Sequence, residues 1–367
     1  MLSHIIIAHL YQPSSAATNR IIAYAKSFVE LHKKVTLVLG WSEDKPMLVL
    51  KGVKVIDVTA PFHFLIVRNM ANMAREHYTN DSAILVYGSP VLCWYLPKSK
   101  YKIFYECTEV PFYGRKKTII SRVKEGIKEF LSKRATGMFV ISCALKSYFE
   151  AKGIKNITIV NMFVDAGRFK NSEQARREEK YIGYCGTISP FKDGVDVLLK
   201  AFTHFHKTHQ DYYLKMIGRF ESKNAEQYLK KLVKDLGITD LVQFTGMVMS
   251  EDMPCLLCEA QMLALARPDN DQARYGFPTK LGEYLATGKP VVVTNVGEIG
   301  LFLKDMDNCR MAQPGDEKDF SDKMSWVADN YQNALLLAKK GRKLTETAFS
   351  CSEQCKKAIS FMENHMK

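Results

Sequence analysis

Short apolar runs alternate with longer amphipathic stretches along most of the chain. The runs Ile5–Ala8, Val35–Val38, Val53–Val58, Ala83–Tyr87, Ile103–Tyr105, Met138–Ile141 and Ile157–Val160 read as strands. So do Tyr181–Tyr184, Tyr213–Ile217, Val242–Thr245, Met262–Ala266, Val291–Thr294 and Arg310–Ala312. Near-continuous apolar runs suit strands covered on both faces of a parallel sheet. Asn19–Leu31, Val195–His206, Asn224–Leu236 and Leu281–Thr287 fit between them as helices. Repeated βα units build parallel sheets with helices on both faces, so the expected fold class is α/β. The two series part near Arg168–Lys180, where the polar, charged NSEQARREEK reads as a linker. The predicted boundaries are 1–168 and 169–345 for two Rossmann-like domains, with a last helix, Ser352–Met366, inside 346–367. Ligands of open α/β sheets sit outside the carboxyl ends of the strands, so two facing domains of this kind would enclose an interdomain cleft.

A chain of 367 residues is comfortable for two such domains, and 47% apolar residues exclude a disordered or fibrous protein. The opening MLSHIIIAHLYQP lacks a basic region and is interrupted by His4 and His9, so it reads as a first strand rather than a signal peptide. The apolar window Ile84–Leu96 contains Gly88, Ser89 and Pro90 and is too short to span a bilayer. Nine scattered cysteines, an odd number, suit a reducing compartment. Cys255 and Cys258 form a lone CxxC without a second pair at zinc spacing, and read as ordinary thiols. The net charge of +13 is uneven: residues 1–168 hold 24 Lys+Arg against 12 Asp+Glu, and residues 169–367 hold 28 against 27. The basic half implies an anionic partner there.

The densest chemical signal is RPDNDQARYGFPTKLGEYLATGKPVV, from Arg267 to Val292. A loop with Gly276, Phe277 and Pro278 leads into a helix that Thr279 is placed to cap and that Gly288 and Pro290 end. The amino end of a helix after a glycine offers N–H groups and a favourable dipole to a diphosphate, and Lys280 adds charge in the same turn. Glu283, one turn on, is placed to accept bonds from a ribose diol. A capped helix of a βα unit with a solvated glutamate has the same local pattern.

This stretch resembles the donor-site signature of glycosyltransferase family 4, whose fold is GT-B. Glu283 matches the family's second glutamate, which binds the nucleotide ribose. Tyr275 stands where the first, a contact to the donor sugar, is found, and some branches share that departure. The block YCGTISPFKDGVDVLLKAF, Tyr184–Phe202, resembles the strand, turn and helix opening the family's C-terminal domain. There Gly186 keeps the turn and Lys192 matches the lysine that meets the diphosphate, but Thr187 replaces an arginine. Departing negative charge needs fixed cations, and Arg267, one strand over, is the expected substitute. NMFVDAGRF, Asn161–Phe169, resembles the hinge between domains. Gly218 and Arg219 fall at a nucleotide-facing loop, and Val242–Gly246 at a segment near the base. The resemblance implies a retaining transferase without a metal or other cofactor. Its donor is a nucleotide sugar, with uridine the commoner base, and its acceptor a saccharide or polyprenyl-linked saccharide in cell-surface polysaccharide assembly. It also implies that the last helix crosses back to the first domain.

In the first half, Ser14, Ser15 and Arg20 open a helix where the resemblance places an acceptor-side loop; a packed, capped helix start fits them equally. Glu109, after a strand end, is the candidate for contacting the acceptor hydroxyl. Arg115–Arg134 forms an amphipathic helix with Ile119, Ile120, Val123, Ile127, Phe130 and Leu131 on one face and eight basic residues elsewhere. It reads either as a helix packed on the sheet or as a docking surface for anionic lipid. The expected location is cytoplasmic, peripheral to the inner face of the plasma membrane. Asp269-Asn270-Asp271 imitates a metal-binding DxD, but no metal is expected. Two rivals are an epimerase of the same fold, which product analysis without an acceptor would reveal, and a basic polyanion-binding protein. Nucleic acid is disfavoured by the lack of an RNP-type or helix-turn-helix pattern.

Overall fold

The computed structural model describes residues 2–11, 15–41, 48–110, 119–170 and 179–366. Ser14, residues 115–118 of the basic segment, residues 171–178 of the linker and the side chains of Ile119 and Ile120 lie outside the described residues. The chain divides into one unit formed by residues 1–163 and 350–367 and a second formed by residues 164–349.

In the first unit, seven parallel strands stand in the order β3-β2-β1-β4-β5-β6-β7. They are β1 (His4–Leu10), β2 (Lys34–Trp41), β3 (Val53–Thr59), β4 (Ser82–Tyr87), β5 (Ile103–Cys107), β6 (Gly137–Val140) and β7 (Ile157–Ile159). In the second unit, six stand in the order β10-β9-β8-β11-β12-β13. These are β8 (Lys180–Cys185), β9 (Tyr212–Ile217), β10 (Val242–Gly246), β11 (Met262–Leu265), β12 (Val291–Thr294) and β13 (Arg310–Ala312). Every strand expected from the sequence is present, because the central ones are buried on both faces and are written as unbroken apolar runs. Register follows directly: Ile5 stands beside Val35 on one side and Ala83 on the other. The winding reverses at β1 in the first sheet and at β8 in the second, which marks the carboxyl ends of these strands as the ligand side.

The helix Cys351–Asn364 belongs to the first unit. Cys355, Ala358, Ile359 and Met362 join its core with Tyr24, Phe28, Phe104 and Phe139. Phe361 sets its ring against Phe104 at 6.0 Å and Phe139 at 5.7 Å. The Asn161 N–H donates to Gln354 Oε1 at 2.9 Å, fixing the chain where it leaves the unit.

The basic helix, described over Ile119–Ser132, presents an unexpected face. Leu131 is buried, but Val123, Ile127 and Phe130 are 55%, 52% and 56% exposed. Its polar edge turns inward instead. Glu129 accepts from the Tyr148 hydroxyl and pairs with Lys152 at 3.3 Å, and the Ser132 hydroxyl bonds back to the Lys128 carbonyl. Packing of this apolar face on the sheet is therefore excluded for its central positions. Among the described residues, no helix is long and apolar enough to cross a membrane.

Met362→Ala leaves a cavity in the first unit and is expected to cost about 2–5 kcal/mol. Urea unfolding followed by tryptophan fluorescence checks this; an unchanged midpoint would remove the helix from that core.

Candidate donor site

The site in the second unit is built on two strand ends that only glycine permits. Gly186, after β8, has φ +133°, and Gly218, after β9, has φ +140°. A Cβ on Gly218 would lie 2.0 Å from the Gly186 carbonyl oxygen, and one on Gly186 would lie 2.2 Å from Lys280 Nζ. The Gly186 N–H donates to the Ile217 carbonyl at 2.9 Å and the Ile188 N–H to that of Arg219 at 2.8 Å, which holds the two turns edge to edge.

Lys280 is not a free cation at a helix opening. Its Nζ donates to Asp193 Oδ2 at 2.6 Å and to the Tyr184 hydroxyl at 3.0 Å. Asp193 is buried, and burial alone would favour its neutral form. Lys280, Arg267 and the bonds from Lys280 and Tyr184 outweigh burial and hold its carboxyl below the usual range. The charge of Lys280 is thus spent inside the protein, a correction to its expected role. The helix is also short, Lys280–Ala286, and Thr279 makes no side-chain cap. The Leu281 and Gly282 N–H groups bond the Pro278 and Thr279 carbonyls instead. Phe277 is buried in a cluster with Phe302 at 5.6 Å and Phe349 at 5.5 Å. Gly276 and Pro278 are buried beside it, and Tyr275 is half-buried.

Arg267 is buried, two residues beyond β11. Its Nη2 donates to the Gln272 carbonyl at 3.2 Å, and its own carbonyl accepts from Thr294 at 2.6 Å. Lys192 is half-buried in the turn of helix Pro190–Asp193, capped by Ser189. The Thr187 carbonyl lies 2.6 Å from the Tyr184 hydroxyl. Glu283 Oε1 accepts from Arg168 Nη1 at 2.9 Å. Burial pushes the Glu283 carboxyl upward, and Arg168 is the first influence opposing that. Asp193, Tyr184 and Arg168 are members of the site that sequence reasoning passed over. Arg168 was inside the quoted hinge motif, and Asp193 directly follows Lys192.

At the carboxyl ends of β9 and β10 lies a groove of about 550 Å³ lined by Arg219, Phe220, Lys223, Lys230 and Phe244, among others. The DxD-like segment does not form a ligand set. Asp269 forks to Arg274 at 2.9 and 3.1 Å, and Asn270 caps the next helix. Among the described residues, no group of three or more His, Cys, Asp or Glu is placed to hold a metal.

The acceptor-side residues of the first unit are largely occupied by structure. Ser15 caps the helix Ala16–Glu30 by accepting from the Thr18 N–H at 3.1 Å. Arg20 is buried; Nη2 donates to Glu106 Oε1 at 2.6 Å and to the Val160 carbonyl at 3.1 Å, and Nη1 to that of Asn161 at 3.2 Å. Its charge is met internally, so it does not face a ligand anion. Glu109 is exposed beyond β5. Thr108 beside it has its hydroxyl 3.2 Å from that of Tyr87. His9, at the end of β1, meets Tyr87 edge-on at 5.4 Å, and burial lowers its pKa to about 4. In the sequence alone His9 is no more than a break in an apolar run.

Comparison with known proteins follows the same division. The family model described as Glycosyl transferases group 1 matches residues 179–330. That segment, less than half of the chain, is similar to the group 1 glycosyl transferases. The chain as a whole has the GT-B fold, two Rossmann-like α/β domains. A curated relative, the MMP alpha-(1->4)-mannosyltransferase of Mycolicibacterium hassiacum, is 22% identical over 210 residues, 57% of this chain and 48% of that protein. The chain's matches span about half or less of the curated relatives' own lengths. Anabaena HepE, solved with UDP and glucose, is similar with a TM-score of 0.77 at 15% identity, covering 99% of this chain and 100% of that one. WaaG, a glycosyltransferase involved in lipopolysaccharide biosynthesis, gives 0.71 at 14% identity, over 98% and 99% of the two chains.

Lys280→Met strands the buried Asp193 carboxylate and is expected to destabilise the protein by about 3–5 kcal/mol, with most of the loss recovered by adding Asp193→Asn. Because the Asp193 carboxyl is held low, the stability it contributes is present above the ordinary carboxylate range and is lost as pH falls below it. Denaturation of the single and double variants at neutral and acid pH checks both statements.

Proposed function

We propose that this chain moves a hexosyl group from a nucleoside-diphosphate sugar, with uridine as the base, to a saccharide or lipid-linked saccharide, in cell-surface polysaccharide assembly. The observation that carries the reading is the half-buried Glu283 carboxylate, ordered by Arg168, in the domain that matches the transferase family. Its carboxylate accepts from the ribose hydroxyls. The groove at Gly218, Arg219 and Phe244 takes the nucleoside end. The diphosphate lies along the Gly186–Thr187 turn and the Tyr275–Lys280 segment. With Lys280 offset by Asp193, Lys192 and Arg267 are the cations that meet the charge developing on the leaving group. No carboxylate in this set is placed as a nucleophile, so front-face substitution with retained anomeric configuration fits best, without a metal. Glu109, exposed at the end of β5, contacts the acceptor hydroxyl.

The first unit carries its own support for a lipid-borne acceptor. Val123, Ile127 and Phe130 form an outward stripe at helical spacing, and Trp94 is exposed close by, with Arg134 4.9 Å over its ring. Lys98, Lys128 and Lys133 are exposed around it. Apolar side chains in front of basic ones suit the interface of an anionic membrane at its cytoplasmic face, where each basic residue contributes about 1 kcal/mol.

Glu283→Gln is expected to weaken UDP binding about 10- to 100-fold, the worth of hydrogen bonds to a charged group; calorimetric affinity equal to wild type would remove its role. Lys192→Ala is expected to lower turnover about tenfold or more with folding intact, by loss of charge stabilisation. Ile127→Ser with Phe130→Ser is expected to abolish co-sedimentation with vesicles containing phosphatidylglycerol. Equal sedimentation of wild type and variant would count against the membrane surface.

A further inference from the structure

Arg168 lies in the short turn Ala166–Phe169 that opens the second unit. Its guanidinium bridges two separate elements. Nη1 donates to Glu283 Oε1 at 2.9 Å, while Nη2 donates to the Ser250 carbonyl at 2.7 Å and to Ser250 Oγ at 3.1 Å. Both side chains of the ion pair are mostly covered, with 23% and 19% of their surface exposed. Ser250 follows β10 by four residues, on the loop that leaves the nucleoside groove. A planar fork with fixed donors sets the direction of its acceptors as a lysine ammonium does not. No described residue donates to Glu283 Oε2.

We infer that Arg168 is a positioning residue for nucleotide binding: it fixes Glu283 through Oε1, presents Oε2 to a vicinal ribose diol, and ties that carboxylate to the Ser250 loop. This rests on the reading that Glu283 binds the ribose. Arg168 itself touches no ligand atom.

The surroundings of Glu283 agree with the assignment. Burial favours its protonated form, and Arg168 opposes this more strongly than Lys280 does. The other titratable groups beside it are the Cys185 thiol, at the end of β8, and the Tyr284 hydroxyl on its own helix, both pushed upward by burial and neutral at physiological pH. Without Arg168, Glu283 would take up a proton at higher pH and stop accepting from both hydroxyls of a diol.

The test is calorimetric titration of wild type, Arg168→Gln, Arg168→Lys and Glu283→Gln with UDP, GDP and ADP, carrying the best ligand forward with its 2′,3′-dideoxy form, between pH 5 and pH 8. Arg168→Gln is expected to lose at least tenfold in affinity for the ribonucleotide and little for the dideoxy nucleotide. Its binding should also fall away at a higher pH than in wild type. Arg168→Lys, which keeps the charge without the fork, is expected to be intermediate, and it serves if the glutamine variant does not fold. Wild-type affinity and pH midpoint in both variants, or an equal loss on the ribo and dideoxy ligands, would overturn the inference alone. Equal wild-type affinity for the two ligands would instead overturn the ribose role of Glu283, and no binding of any nucleoside diphosphate would overturn the proposed function with it.

Discussion

Steric exclusion at two strand ends governs the second unit. Gly186 and Gly218 bring β8 and β9 so close that a single methyl group on Gly218 would overlap the carbonyl of the facing turn. Both glycines also hold φ values that side-chain-bearing residues rarely adopt. That contact leaves a backbone-lined floor beneath which Lys280, Asp193 and Tyr184 pack as one hydrogen-bonded group. The residues above the floor inherit their positions from it.

The charges around the floor are sorted by burial. Lys280 and Asp193 satisfy one another, because an unmatched carboxylate there is far costlier than a paired one. Arg168 performs the same service for Glu283 from outside the helix, through a geometry that leaves one carboxylate oxygen open. The first unit uses the device once more, with Arg20, Glu106 and Tyr24 bonded together in its interior. In each case the fold needs a neutral buried group. Glu283 is the most exposed of the three carboxylates, with 19% of its side-chain surface open.

The two units differ in what they offer outward. The second carries an open groove at the ends of β9 and β10, lined by basic and aromatic side chains. The first turns an apolar stripe of the helix Ile119–Ser132 toward solvent and keeps the acidic edge, Glu129, against Tyr148 and Lys152. Such an inverted face has no local cause in the helix itself. It is set by the polar groups of neighbouring elements, which give Glu129 partners that water would otherwise supply. The excess of basic residues in the first half of the chain thus gathers a specific meaning: part of it rims an exposed apolar surface.

What the sequence determined by itself was the alternation of elements. The central strands were legible because burial on both faces demands unbroken apolar runs, the edge strands β3 and β10 from partly apolar runs with polar residues among them, and helices such as Val195–His206 because one buried face repeats at helical spacing. The order of the motifs, with Gly186, Lys192 and Glu283 in one domain, was legible too, through the resemblance to the family's blocks rather than from local pattern. The tertiary structure alone decided which charges are free. Lys280 and Arg20 looked available because a sequence shows a cation without its partner; Asp193 lies 87 positions from Lys280 and Glu106 lies 86 from Arg20. The same holds for Arg168 and Glu283, 115 positions apart, and for the helix whose apolar side points outward. Pairing across such separations depends on how strands and loops converge in space, and short-range pattern carries no record of it.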